Sequence, residues 1–262
     1  MSQPPISKLL SSLLASSARA WRGTQILREV PAPRRPLVLY DRENDARCRL
    51  LREVLTELQL DALVRPCPLG GKRYLKQLPA DTELPVLIDA EHDTRAVGLH
   101  ACLKHVLRQF AGLRHGAGVL GSWPMRLSSS LASALRGRAG LHAQPSRAPR
   151  RPLQLYGFES SPYTRLVRER LCELELPWQM VSFGKEQLAD WGPPQRRLSL
   201  KPWTPKPGGR RERMLAQTGR AQVPYLIDPN TGDALYESVQ ILAHLDRCYA
   251  RSAAAGTPAH AG

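Results

Sequence analysis

Tyr156-Gly157-Phe158-Glu159-Ser160-Ser161-Pro162-Tyr163-Thr164-Arg165 reads as the end of a strand, a tight turn and the first turn of a helix. Before it, Leu153, Gln154, Leu155 and Tyr156 make a short strand pattern. After it, Tyr163, Leu166, Val167, Leu171 and Leu174 recur near helical spacing. Pro162 suits the first helical position, where its fixed φ is pre-organised and its missing N–H costs nothing, and Ser161 stands before it as a cap. The free amides and dipole of a helix start favour negative charge beside the Ser161 hydroxyl.

The same pattern occurs earlier in the chain. Residues 35–60 align with 151–176 without a gap, and fourteen of the twenty-six positions are identical. Past an insertion the match resumes, Leu84-Pro85-Val86-Leu87-Ile88-Asp89 answering Val223-Pro224-Tyr225-Leu226-Ile227-Asp228. Both copies close on a helical pattern, Leu99 to Phe110 and Ser238 to Tyr249. The chain is therefore read as a tandem duplication. Each copy runs strand, helix, an unassigned middle, strand, turn, strand, helix, an α/β order suited to a small mixed sheet with flanking helices. Asp228-Pro229-Asn230-Thr231-Gly232 is a turn signal between the last two strands.

A shorter repeat precedes each copy, Leu10-Ser-Ser-Leu-Leu-Ala-Ser16 and Leu127-Ser-Ser-Ser-Leu-Ala-Ser133. Each reads as an amphipathic helix with Leu10, Leu14 and Trp21, or Leu127, Leu131 and Leu135, near one face; docking onto the following domain, or onto a partner or membrane surface, would hide those stripes, and docking within the chain is the expectation. Because the second copy is internal, the acid-free, Ser-rich residues 1–24 are read as structure rather than as a targeting segment.

On the Ser161-Pro162-Tyr163-Thr164 turn and the duplicated α/β order, the chain resembles glutaredoxins and the N-terminal domain of glutathione transferases, and among these the tandem proteins built from that domain type. The resemblance implies an α/β fold of two tandem thioredoxin-like domains, each with a small mixed sheet flanked by helices. Redox members carry Cys-Pro-Tyr-Cys at this turn. Both sulfurs are absent here, so a dithiol–disulfide cycle is not available to it. What remains resembles serine-type transferases, with Ser161 donating a hydrogen bond to the thiolate of glutathione, as cosubstrate or ligand, and Pro162 and Tyr163 completing the turn.

Val223-Pro224 stands where glutathione-binding members hold a cis proline that frees the preceding backbone for the ligand's cysteinyl backbone; its match to Leu84-Pro85 extends the cis expectation to both copies. Glu237-Ser238 stands where relatives receive the γ-glutamyl end, the carboxylate taking the ammonium and the hydroxyl with helix-start amides taking the α-carboxylate. Singly, these are also an edge-strand proline and a plain helix cap. Their order along one copy is what points to glutathione.

The first copy has lost these features. Its turn reads Asp45-Ala46-Arg47-Cys48, an acid where the hydroxyl should stand, and Gly98-Leu99 replaces Glu-Ser. Residues 35–111 are read as a degenerate packing copy. Cys67, in Arg65-Pro66-Cys67-Pro68-Leu69-Gly70-Gly71, is read as lying in an exposed basic loop that lowers its pKa, which makes it the candidate reactive thiol. Cys48, Cys102, Cys172 and Cys248 fall within helix patterns. An odd, unpaired set of five cysteines suggests a reducing compartment. Seven histidines without HxxxH or HxH spacing give no metal expectation, and no phosphate loop occurs.

The formal charge is +15 with a pI near 10.2. Arginine is spread without interleaved aromatics, so no specific nucleic-acid role is expected; a solvated basic surface would suit an anionic membrane surface or an acidic protein. The division is 1–34 helix and linker, 35–111 degenerate thioredoxin-like domain, 112–150 mobile linker with a helix, 151–250 glutathione-binding domain and 251–262 disordered tail. The Pro- and Gly-rich insertion 184–210 is expected as a loop beside the site.

Two readings follow, in a cytoplasmic setting with or without peripheral membrane contact. One is a glutathione transferase-like enzyme, although the helical domain that lines the electrophile pocket in that family has no counterpart in the few residues after Tyr249. The other is a non-catalytic tandem binding or scaffold protein.

Overall fold

The computed structural model describes residues 6–192 and 203–251; the tail from 252 and residues 193–202 of the basic insertion lie outside them. Helix α1 (Ile6–Ala18) is followed by β1 (Leu37–Asp41), α2 (Ala46–Glu57), β2 (Ala62–Pro66), β3 (Val86–Asp89), β4 (Thr94–Val97) and α3 (Leu99–Gln109). After α4 (Ala117–Leu120) and α5 (Trp123–Ala134), the order recurs as β5 (Leu153–Gly157), α6 (Pro162–Glu173), β6 (Trp178–Ser182), α7 (Arg210–Thr218), β7 (Tyr225–Asp228), β8 (Asp233–Tyr236) and α8 (Ser238–Tyr249).

The strands form one mixed sheet in the order β4-β3-β1-β2-β6-β5-β7-β8. Each half repeats the same internal order, and the halves join where β2 pairs antiparallel with β6, Ala62 opposite Met180 and Val64 opposite Trp178. Both strands fall in the stretch left unassigned from sequence. Each would be an unpaired edge in an isolated half, and pairing removes both edges at once. Trp178 is fully buried at the seam, within a core that runs through both halves from Leu37 to Tyr249.

The connecting segments are exchanged between halves. α1, ahead of the first half, packs on α6 of the second; α5, ahead of the second, packs on α2 of the first; α1 and α5 also touch. Reciprocal arginines fix this arrangement. Arg19 pairs with Glu53 at 2.6 Å and donates to Met125 O and Ser128 Oγ, while Arg136 pairs with Glu169 at 2.7 Å and donates to Lys8 O and Ser11 Oγ. Residues 112–150 are thus tied down rather than mobile: Leu69 bridges His142, and Ser146 bridges Ala250.

The docked faces are the reverse of those expected. Ser12, Ala15 and Ser16 of α1 and Ser129 and Ala132 of α5 are buried, and the leucine stripes face solvent. Small side chains let the helices approach closely, and the buried hydroxyls find acceptors: Ser12 Oγ donates to Pro162 O and Ser16 Oγ to Ser160 O. Trp21 lies beyond the end of α1, in a turn where both it and Ala20 have positive φ.

Candidate functional site

Strand register brings the predicted pieces to one end of the sheet. Tyr156 pairs with Tyr225, and Tyr225 with Tyr236, so Gly157, Pro224 and Glu237 stand on the next rank. From that rank the turn 158–161 leads into α6, and α8 starts at Ser238. The peptide bonds before Pro224 and Pro85 are both cis, as expected. Neither the N–H nor the C=O of Val223 meets a hydrogen-bonding partner among the described residues.

Ser161 caps α6. Its Oγ accepts from Thr164 N at 3.2 Å and from Thr164 Oγ1 at 2.9 Å. Both bonds use lone pairs and leave the hydroxyl proton to donate. The serine is 3 % exposed, whereas Tyr163 is 46 % exposed. Ser12, Ser16 and Thr24 hold the turn from outside, Thr24 Oγ1 meeting Ser160 Oγ.

Glu237 adopts φ +65° and ψ 123° immediately before α8, a conformation that strongly favours glycine. The equivalent residue of the first half is Gly98, at φ +79°. The Glu237 side chain is exposed, and its Oε1 accepts from Gln222 Nε2 at 2.6 Å. Ser238 is buried beneath it.

The corresponding corner of the first half is closed by its own charges. Asp45 caps α2 by accepting from Arg47 N and Cys48 N. Burial alone would raise the Asp45 carboxyl, but the Arg47 guanidinium outweighs it and holds it low. Arg47 also reaches Glu83 at 3.0 Å, whose carboxylate lies over Gly98. The second half has Ser161, Tyr163 and Gln222 at these three places and no such ion pair.

Behind the turn lies a buried charge network that sequence reading assigned to the solvated surface. Arg52 bonds Glu159 at 2.8 Å and Asp41 at 2.7 Å; Arg168 bonds Glu43 and Glu159 at 3.0 Å each. Two of these contacts, Arg52–Glu159 and Arg168–Glu43, cross between halves. Burial pushes the Glu159 carboxyl up, yet Arg168 and Arg52 overcome that and bring it down to about 2. Asp41 is raised to about 6 by burial, against the opposing pull of Arg52. Arg165 is lowered to about 9 by burial and by the neighbouring Arg49. A signal was present: Glu43/Glu159 before the helix and Arg49/Arg165, Arg52/Arg168 and Glu53/Glu169 on it are all identities of the repeat.

The expectation for Cys67 is overturned. Cys67 is fully buried, its N–H donates to Asp41 O at 2.7 Å, and burial together with the Asp41 charge lifts its thiol to about 12. The Pro-flanked loop folds inward, Cys67 packing with Tyr40, Cys48, Leu78, Leu84 and Val86, while Leu69 pairs with the 141–143 segment of the exchanged linker.

Three potential ligands also come together, Asp89 Oδ2 lying 2.7 Å from Nδ1 of His92, three residues on, and 2.8 Å from Nε2 of His105 on the last helix of that half. The second half repeats the bond as Asp228 Oδ2 to His244 Nε2 at 2.8 Å, with the Tyr249 hydroxyl in place of the other imidazole. The part common to both halves ties the last helix to the end of a strand.

Residues 155–253, from β5 through α8, match the family described as glutathione S-transferase, N-terminal domain. That stretch is a thioredoxin-like domain of the glutathione S-transferase N-terminal type. No curated protein and no solved structure matches the chain.

Proposed function

We propose that the glutathione S-transferase N-terminal-type domain formed by β5 to α8 binds glutathione at the sheet end shared by Ser161, Val223-Pro224 and Glu237-Ser238. The observation that carries this reading is Glu237. A non-glycine residue is kept in a glycine conformation, with an exposed carboxylate, where the degenerate half has glycine. Strain of about 1–3 kcal/mol at such residues clusters at active sites, ligand clamps and switch regions.

In this reading the ligand's ammonium meets Glu237, its α-carboxylate the Ser238 hydroxyl and the amides opening α8, and its cysteinyl backbone the free peptide groups of Val223. The Ser161 proton then donates to the thiolate, aided by the start of α6. Such a bond stabilises the anion, raising the fraction of nucleophile at neutral pH.

A second reading, binding without turnover, is favoured by the state of the turn itself. Ser161 is almost wholly covered, and the serines of α1 hold its neighbours. Calorimetric titration of glutathione into wild type, Ser161→Ala and Glu237→Ala tests the site. Saturable heat in wild type, weakened in both variants, is expected; its absence in wild type overturns the proposal. Conjugation of a chromogenic electrophile by the same preparation then separates a transferase from a binding module.

A further inference from the structure

The exchanged helices leave an apolar face that no described element covers. Arg19 at the end of α1 reaches Met125 and Ser128 near the start of α5, and Arg136 beyond α5 reaches Lys8 and Ser11 near the start of α1. The helices therefore lie side by side and antiparallel. Their small-residue faces are buried below them, so the stripes share the outer side. Leu10 and Leu14 of α1 and Trp123, Leu127, Leu131 and Leu135 along α5 are each between 43 and 72 % exposed. A soluble monomer seldom exposes so large a contiguous apolar patch without a use for it.

Charge distinguishes the partner. Neither residues 1–28 nor residues 112–150 contain an acidic side chain, although the chain has 23 Asp and Glu. Lys8, Arg126 and Arg138 are exposed cations on or beside these helices. We infer that the α1–α5 pair is a docking face for an anionic lipid surface, with the leucines and Trp123 entering the boundary between headgroups and acyl chains and the cations meeting lipid phosphates. Basic amphipathic helices with leucine and tryptophan on the apolar face lie in membrane interfaces in this way. A second copy of the chain fits less well, because two like basic faces would oppose each other. The inference is independent of glutathione.

Co-sedimentation of the full chain with phosphatidylcholine vesicles, and with the same vesicles containing phosphatidylserine, tests it. Binding to the anionic vesicles alone is expected. Leu14→Asp with Leu131→Asp should lower it at least ~tenfold, and so should Lys8→Ala with Arg126→Ala and Arg138→Ala. Circular dichroism and thermal midpoint should stay at wild-type values, since all five side chains are outside the core. Failure to sediment with anionic vesicles, or equal binding to both kinds, overturns the inference. So does a dimer in analytical ultracentrifugation that the leucine substitutions abolish, which would assign the face to a second copy.

Discussion

At the scale of single residues, Glu237 and Ser161 are where the proposed binding and the stability of the fold can be read separately. Glu237→Gly places in the second half the residue that the first half already uses at this φ. It is expected to raise unfolding stability by about 1 kcal/mol by relieving backbone strain, while glutathione binding is lost. Urea denaturation and calorimetry on the same protein check both parts. Ser161→Ala should cost about 1 kcal/mol through loss of the cap on Thr164 N, so its binding defect has to be read beside its stability. The turn and its cap were legible in the sequence because Ser-Pro states a local preference. The burial of Cys67 was not, because it depends on Tyr40, Cys48, Leu78, Leu84 and Val86 converging on it from separate strands, a helix and loops.

At the scale of elements, α1 and α5 show how hydrophobic pattern and docked face can diverge. A leucine stripe predicts burial only when the opposite face is too polar to bury, and here it is Ser and Ala, whose hydroxyls reach carbonyls of α6 and its turn. Ala132 is fully buried, and Ala132→Leu should cost about 1–3 kcal/mol by overpacking. Leu131→Ser, one residue earlier, should change stability by about 0.5 kcal/mol or less. If unfolding measurements reverse these two, the docked face has been misassigned. The amphipathic helices themselves were readable from the repeated heptapeptides; which side faced inward depended on a neighbouring helix half a chain away.

Across the whole molecule, the charge network makes the halves interdependent. Arg168→Ala removes one of the two arginines, with Arg52, that Glu43 and Glu159 share in a buried site and should destabilise by about 3–5 kcal/mol, as read from the denaturation midpoint. The carboxylates also set a pH dependence with two windows of opposite sign that overlap between 3.8 and 4.5. Asp41 binds its proton more tightly folded than unfolded, its pKa rising from 3.8 to about 6, so its contribution is present below 3.8 and is lost as pH rises through about 6. Glu159 acts in the opposite sense, contributing above 4.5 and losing that contribution as pH falls toward about 2. Asp41→Asn should therefore flatten the decline in stability across the upper window, checked by urea midpoints from acid to neutral pH.

The sequence by itself determined the duplication, the α/β order of each copy, the cis bends and the differences between the copies at Asp45/Ser161 and Gly98/Glu237. These are written in local patterns, turn residues and a repeat that need no partner to be seen. Only the tertiary structure decided that β2 and β6 fuse the copies into one sheet, that α1 and α5 trade places, and that the repeated arginines and glutamates are interior. Each of those outcomes depends on which surfaces meet across more than a hundred residues of chain, where edge pairing, helix approach distance and desolvation of charge are settled together.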